Sequence, residues 1–133
     1  MTRAASMLSS TPVLYVEAVE DCLPFWERLG FAREVEVPHG ARIGFVILAR
    51  DGVQVMLQSF ESGAADVPPL AAEQRRGPTF LFVKVADLEA VESALQGFEV
   101  VMPRRTTFYG AIETGFREPG GHCITFAQFD GAG

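Results

Sequence analysis

The groups with which this chain could do acid–base or nucleophilic work are few: Glu99, Glu113, Glu118, His39, His122, Cys22 and Cys123. His122 beside Cys123 has the composition of a base and a nucleophile, but neighbours on an extended strand point to opposite faces, so the two form no dyad. His39 lies in the turn Pro38-His39-Gly40 and His122 follows Gly120-Gly121, so both read as turn or surface residues rather than ligands. The cysteines are far apart and outside any CxxC pattern, which leaves neither a disulfide framework nor a cysteine-built zinc site. Glu113 would serve as a general base in a dry cleft, yet Ala111 and Gly115 share its face and offer little enclosure to raise its pKa. Arg104-Arg105 reads as part of a solvated loop, with contact to an anionic group as the alternative. In Phe108-Tyr109-Gly110 the glycine supplies backbone freedom for a turn, and Tyr109 is a candidate for stacking on a ligand or hydrogen-bonding to it. No residue is assigned a catalytic role, because nothing in the spacing brings an acid and a base together.

These residues are positioned by a duplicated pattern. Thr11 to Phe60 and Phe80 to Phe129 share one rhythm, with Val16 and Val85, Gly52 and Gly121, and Phe60 and Phe129 each 69 positions apart (85-16, 121-52, 129-60). Each half opens with a β-branched and aromatic run, then places apolar residues at helical spacing: Val19, Cys22, Trp26 and Leu29, then Leu88, Val91 and Leu95. Trp26 is therefore expected in the core. Gly30 and Gly97 stop the helices, and three extended runs follow each stop, so each half predicts a βαβββ module. Asp87 is placed to cap the second helix, whereas the equivalent Ala18 cannot. Pro24 predicts a first helix that starts near Asp21, with the proline in its first turn. Module one spans 11–60 and module two 78–129; Glu61 to Gly77, small, polar and containing Pro-Pro, reads as a linker. Its length lets the modules pair within one chain or across to a partner.

Composition narrows the partners. The 133 residues are 48% hydrophobic, which describes one domain able to fold on its own apolar core. With 11 basic and 17 acidic side chains the net charge is -6, which repels a phosphate backbone, and no basic stripe is present, so nucleic acid is not an expected partner. Residues 10–60 and 78–130 each hold 4 basic and 7 acidic side chains, or -3 apiece, so the acidity is even and predicts only a mild preference for cationic ligands. No apolar run reaches the length of a membrane span or a signal-peptide core, and free cysteines suit a reducing compartment, so a cytoplasmic protein is expected. Eleven phenylalanines suit an apolar cavity, a subunit interface or a well-filled core.

The stretches VLYVEAVEDCLPFWERLGF and FREPGGHCITFAQ resemble the opening strand, helix and Leu-Gly-Phe stop, and the closing Asp-Pro-x-Gly strand, of the glyoxalase, bleomycin-resistance and extradiol-dioxygenase (vicinal oxygen chelate) superfamily; Glu118 replaces the Asp. The resemblance covers Thr11 to Phe129. It implies an α+β fold in which the two modules form a curved, partly open barrel-like sheet around a cleft. It also implies that metal-chelating members place ligands at positions matching Thr11, Met56, Phe80 and Thr125, pairs again 69 apart (80-11, 125-56). None of these four side chains is an imidazole, carboxylate or thiolate, and a one-residue slip in register does no better. The expectation is a lost metal site and no cofactor.

Strand alternation puts Thr11, Val13 and Tyr15 on one face with Phe80 and Phe82 in the second module, and Gln54, Met56 and Gln58 on the fourth strand. If these face the cleft, the surface suits a flat organic ligand; if not, they fill the interior. Related metal-free members carry an aromatic-Gly pair beside the cleft, which adds Tyr109. The predicted ligand-binding set is thus Thr11, Val13, Tyr15, Met56, Phe80, Phe82, Tyr109 and Thr125. The expected protein is a homodimer, closest in type to metal-free bleomycin-resistance-like proteins, that sequesters a planar or cationic small molecule such as an antibiotic. The alternatives are a lyase, isomerase or dioxygenase of the superfamily, and an interaction module that uses its Phe-rich surface.

Overall fold

The computed structural model describes residues 6–130; Arg3, the basic residue of the N-terminal stretch, and the tail beyond Asp130 lie outside them. The first module runs β1 (Val13–Val16), α1 (Val19–Arg28), β2 (Ala32–His39), β3 (Arg42–Arg50) and β4 (Val53–Ser59). The second runs β5 (Phe80–Lys84), α3 (Leu88–Ala94), β6 (Val100–Thr106), β7 (Ala111–Arg117) and β8 (Cys123–Phe129). In each, the first strand pairs parallel with the last and the others form antiparallel hairpins, which gives two four-stranded sheets in the orders β1-β4-β3-β2 and β5-β8-β7-β6. The architecture is α+β with no closed barrel, because β1 and β5 are both edge strands.

Alternation divides each sheet into a core face and an outer face. Leu14, Val16, Val46, Leu48, Val55 and Leu57 turn inward onto α1, and Ile124, Phe126 and Phe116 turn inward with Leu88, Val91 and Leu95 around α3. Asp87 caps α3 by accepting a hydrogen bond from the Ala90 N–H at 3.2 Å, while Ala18 gives α1 no side-chain cap. One expectation is corrected here: α1 starts at Val19, so Pro24 sits in its second turn rather than its first. Proline cannot donate to the carbonyl one turn back, but the helix start is held from outside. The Glu20 carboxylate accepts the Ile43 N–H at 2.8 Å, a bond that also keeps this carboxyl below its ordinary pKa. Burial of Leu23, Phe25 and Trp26 fixes the rest.

The segment that connects the modules is largely helical. It forms α2 (Phe60–Asp66) and two single 3-10 turns, Pro68–Leu70 and Glu73–Arg75. Ser59 caps α2 by accepting the Ser62 N–H at 3.1 Å. Gly63 and Gln74 are buried at the end of the first sheet, where a Cβ on Gly63 would come within 2.8 Å of the Tyr15 ring.

Within the chain the modules pack on each other. Phe25 of α1 meets Phe98 edge to face at 5.3 Å, and the Arg28 guanidinium lies over Phe98 while donating to the Gln96 carbonyl at 2.8 Å. His122, expected at a turn or on the surface, is buried at this junction. Its Nδ1 accepts the Thr79 N–H at 2.8 Å, which leaves Nε2 protonated to donate to the Tyr15 carbonyl at 2.9 Å. One imidazole therefore ties β1 to the segment entering β5. Beside it Glu118 is fully buried, one oxygen accepting the His122 N–H at 3.2 Å and the other without a partner.

Candidate functional site

The outer face of the second sheet is where chemistry-bearing side chains gather. Register places them in cross-strand rows: Phe80, Cys123 and Arg117; Phe82, Thr125, Gly115 and Met102; Lys84, Ala127, Glu113 and Arg105. Phe129 follows on β8, opposite Ala111. The middle of this face is small. A Cβ on Gly115 would lie 3.1 Å from the Met102 Cβ and 3.6 Å from the Thr125 hydroxyl, so the missing side chain is what lets Met102 pack close beside a floor of Gly115, Thr125 and Ala127, of which Gly115 and Ala127 are buried.

Aromatic rings stand along one side of that floor. Phe80 is 74% exposed, Phe82 52% and Tyr109 40%, unusual for rings of this size on one surface. Phe82 meets Phe129 at 6.3 Å, Phe129 meets Tyr109 at 6.0 Å, and Tyr109 meets Phe108 at 5.0 Å, which makes a continuous row. The Lys84 ammonium sits 4.8 Å from the centre of the Phe129 ring. A flat molecule laid on the floor would touch ring edges and faces without displacing core side chains.

Glu113 was expected to be poorly enclosed, and the structure corrects this: its side chain is 1% exposed. Residues on its own strand do not bury it; the next strand and the turn do. Arg105 donates from Nε and Nη2 to one carboxylate oxygen at 3.1 and 2.9 Å, and the Tyr109 hydroxyl donates to the other. Arg104 and Arg105 accordingly belong to β6, not to a solvated loop, and Arg104 pairs with Glu92 on α3. The bond to Glu113, then burial, pushes the Tyr109 phenol above its ordinary pKa. Its proton is held by a carboxylate, and the turn Phe108-Tyr109-Gly110, with Gly110 at φ 83°, is fixed by that contact.

The predicted ligand-binding residues fall on two surfaces. Phe80, Phe82, Thr125 and Tyr109 share the outer face just described. Val13 pairs with Met56 and Tyr15 with Gln58 on the first sheet. Thr11 precedes β1 and joins no ladder; the neighbouring Pro12 carbonyl accepts the Met56 N–H at 3.0 Å. The Tyr15 ring is packed against α2 rather than left free. At Thr11, Met56, Phe80 and Thr125 no imidazole, carboxylate or thiolate is presented, and the strand partners Val13 and Phe82 add none, so the donor set does not fit the divalent metal that chelating relatives carry. Among the described residues no group of three or more His, Cys, Asp or Glu side chains gathers elsewhere.

A hollow of about 1060 Å³ runs along β5, between the Arg50–Gln54 turn and α1 on one side and α3 on the other. It shares Phe80, Phe82 and Lys84 with the outer face and is walled by Trp26, Leu29 and Val91. The repeat explains why it is open. At the matching place on β1, Glu118 and His122 fill the contact, whereas their counterparts at 69 positions back are Ala49 and Val53 (118-69, 122-69), too small or too apolar to bridge.

A search of curated proteins finds no sequence match. Solved structures of the same fold include a glyoxalase/bleomycin resistance protein/dioxygenase from Nocardioides (20% identity, TM-score 0.72, covering 98% of this chain and 89% of that one). A bleomycin-binding protein from Streptomyces verticillus complexed with copper(II)-bleomycin is similar at 20% identity and TM-score 0.62 (92% and 97%). A lactoylglutathione lyase from Agrobacterium tumefaciens is similar at 14% identity and TM-score 0.71 (93% and 95%). The sequence profile of one superfamily matches residues 9–126. With its paired βαβββ modules and this match over most of its length, the chain belongs to the glyoxalase/bleomycin resistance protein/dioxygenase superfamily.

Proposed function

We propose that this protein binds and sequesters a planar small organic molecule on the outer face of its second sheet, without the metal that chelating relatives use. The observation that carries this reading is the set of exposed aromatic rings Phe80, Phe82 and Tyr109 on one face. Binding alone lowers the free ligand concentration by mass action and needs no catalytic group. The similar Streptomyces protein described with copper(II)-bleomycin is consistent with a binding role for this fold. Exposed apolar side chains on both sheets, Val35 and Val37 as well as Phe80 and Phe82, favour a homodimer that covers part of them, in a reducing cytoplasm.

A native mass spectrum of gently purified protein tests this, because subunit number, bound metal and co-purified organic molecules are read from one sample. The reading expects a dimer without metal that takes up one planar aromatic molecule per subunit when challenged. A stoichiometric divalent ion would overturn the metal-free part.

A second reading, an enzyme of the superfamily, draws on one observation: Tyr109 and Glu113 do converge on this face. The phenol is, however, harder to ionise than usual and Glu113 is already held by Arg105, a poor arrangement for proton transfer to a substrate at neutral pH.

A further inference from the structure

We infer that the outer face of the second sheet selects a planar aromatic ligand bearing an acidic group, an aromatic carboxylate or comparable anion, with Lys84 as its charge partner. This rests on the binding reading above and reverses the charge preference expected from composition.

The argument is local charge. Three cationic side chains lie on this face, Lys84, Arg105 and Arg117, against two carboxylates that pair with them, Glu113 with Arg105 and Glu99 with Arg117. The face therefore carries +1 (3-2) on a chain that carries -6. Lys84 takes part in none of the ion pairs among the described residues, and its ammonium is positioned over the Phe129 ring, within the aromatic row. On the face itself a cationic ligand finds no free carboxylate, since Glu113 is buried and both its oxygens are occupied; Asp51 and Asp87 line the adjoining hollow that shares Lys84. An anion stacked on Phe82 and Phe129 meets an unpaired ammonium within a few ångströms. Charges beyond roughly 8 Å are screened at physiological salt, so the evenly spread acidity elsewhere weighs less than this contact.

Lys84 and Glu113 lie in one cross-strand row with only Ala127 between them. Ala127 is fully buried, so the row is covered at its middle, and an acidic group reaches the exposed Lys84 ammonium from beside Phe82 while its ring system lies against Phe82 and Phe129.

The test is calorimetric titration of the full chain with three naphthalenes of one shape: 2-naphthoate, neutral 2-naphthamide and cationic 2-naphthylmethylammonium. The expected order is naphthoate tightest, by about tenfold over the cation, equivalent to roughly 1.4 kcal/mol. Lys84→Gln should level the three, Lys84→Glu should invert the order, and Phe82→Ala should weaken all three alike. A far-ultraviolet circular dichroism spectrum of each variant checks folding; Lys84 is exposed, so its variants are expected to fold. Cation binding as tight as naphthoate binding overturns this inference while leaving the binding reading in place. Failure of all three probes to bind overturns both.

Discussion

At the scale of single residues, what encloses a side chain on these strands comes from the neighbouring strand and turn and not from its own strand. Glu113 shows the difference: Ala111 and Gly115 are its neighbours in sequence, and Arg105 and Tyr109 are its neighbours in space. The same holds for His122, which donates to the Tyr15 carbonyl of the other module, and for Glu118, which lies buried near Cys22 there. Glu118 is fully buried, and that burial raises its pKa. A carboxyl whose folded pKa lies above its unfolded value contributes stability when protonated and loses it as pH rises from the unfolded pKa through the folded one. Glu118→Gln is therefore expected to stabilise the fold, on the order of 1 kcal/mol at pH 8 and less at pH 5, since it removes a buried charge while keeping an acceptor for the His122 N–H. Urea unfolding at the two pH values checks this; a variant less stable at pH 8 than the parent would contradict it. Cys22 is 1% exposed and burial pushes its thiol well up, whereas Cys123 is partly accessible on the outer face. Ellman's reagent should count one thiol in the native protein and two in denaturant.

At the scale of elements, the repeat carried most of the fold. Apolar periodicity placed the helix of each module, the glycine stops and most of the strands, because these depend on local spacing and on one buried face, though β6 runs on through the two arginines that read as loop. It failed where tertiary contacts override local preference. Pro24 is tolerated inside α1 because Glu20 is anchored to β3 and Phe25 and Trp26 are buried, and none of that is written in the helix itself. In the segment after Phe60, which reads as a linker from its prolines and small residues, Gly63 lets α2 and Gln74 approach Tyr15 closely. Capping gives an asymmetry that can be measured. Asp87→Ala should cost about 1 kcal/mol through loss of the bond to Ala90, and Ala18→Ser, at a residue already in extended backbone conformation, should return about 0.5 to 1 kcal/mol. Thermal melts of the two variants are expected to shift in opposite directions.

At the scale of the whole molecule, two modules of like sequence and equal charge are used differently. One inter-module contact is filled by Glu118 and His122, its counterpart by Ala49 and Val53, and the difference leaves the hollow along β5. His122→Ala should cost roughly 2 to 4 kcal/mol, because it orphans the Tyr15 carbonyl and the Thr79 N–H at once, whereas a surface histidine would cost almost nothing. Phe80, Phe82 and Tyr109 belong to the set read from sequence; Lys84 continues the alternation of β5 two residues past Phe82, Phe129 that of β8 four residues past Thr125, and Gly115 is reached only through the pairing of β7 with β8. The central claim is that this face binds a planar organic molecule, and the most direct measurement is a ¹H–¹⁵N correlation spectrum of the assigned protein during titration with 2-naphthoate. The account predicts saturable shifts at Phe82, Gly115, Thr125 and Ala127, with the first-module residues Val13 and Met56 unmoved. Shifts confined to the first sheet, or none at millimolar probe, would contradict it.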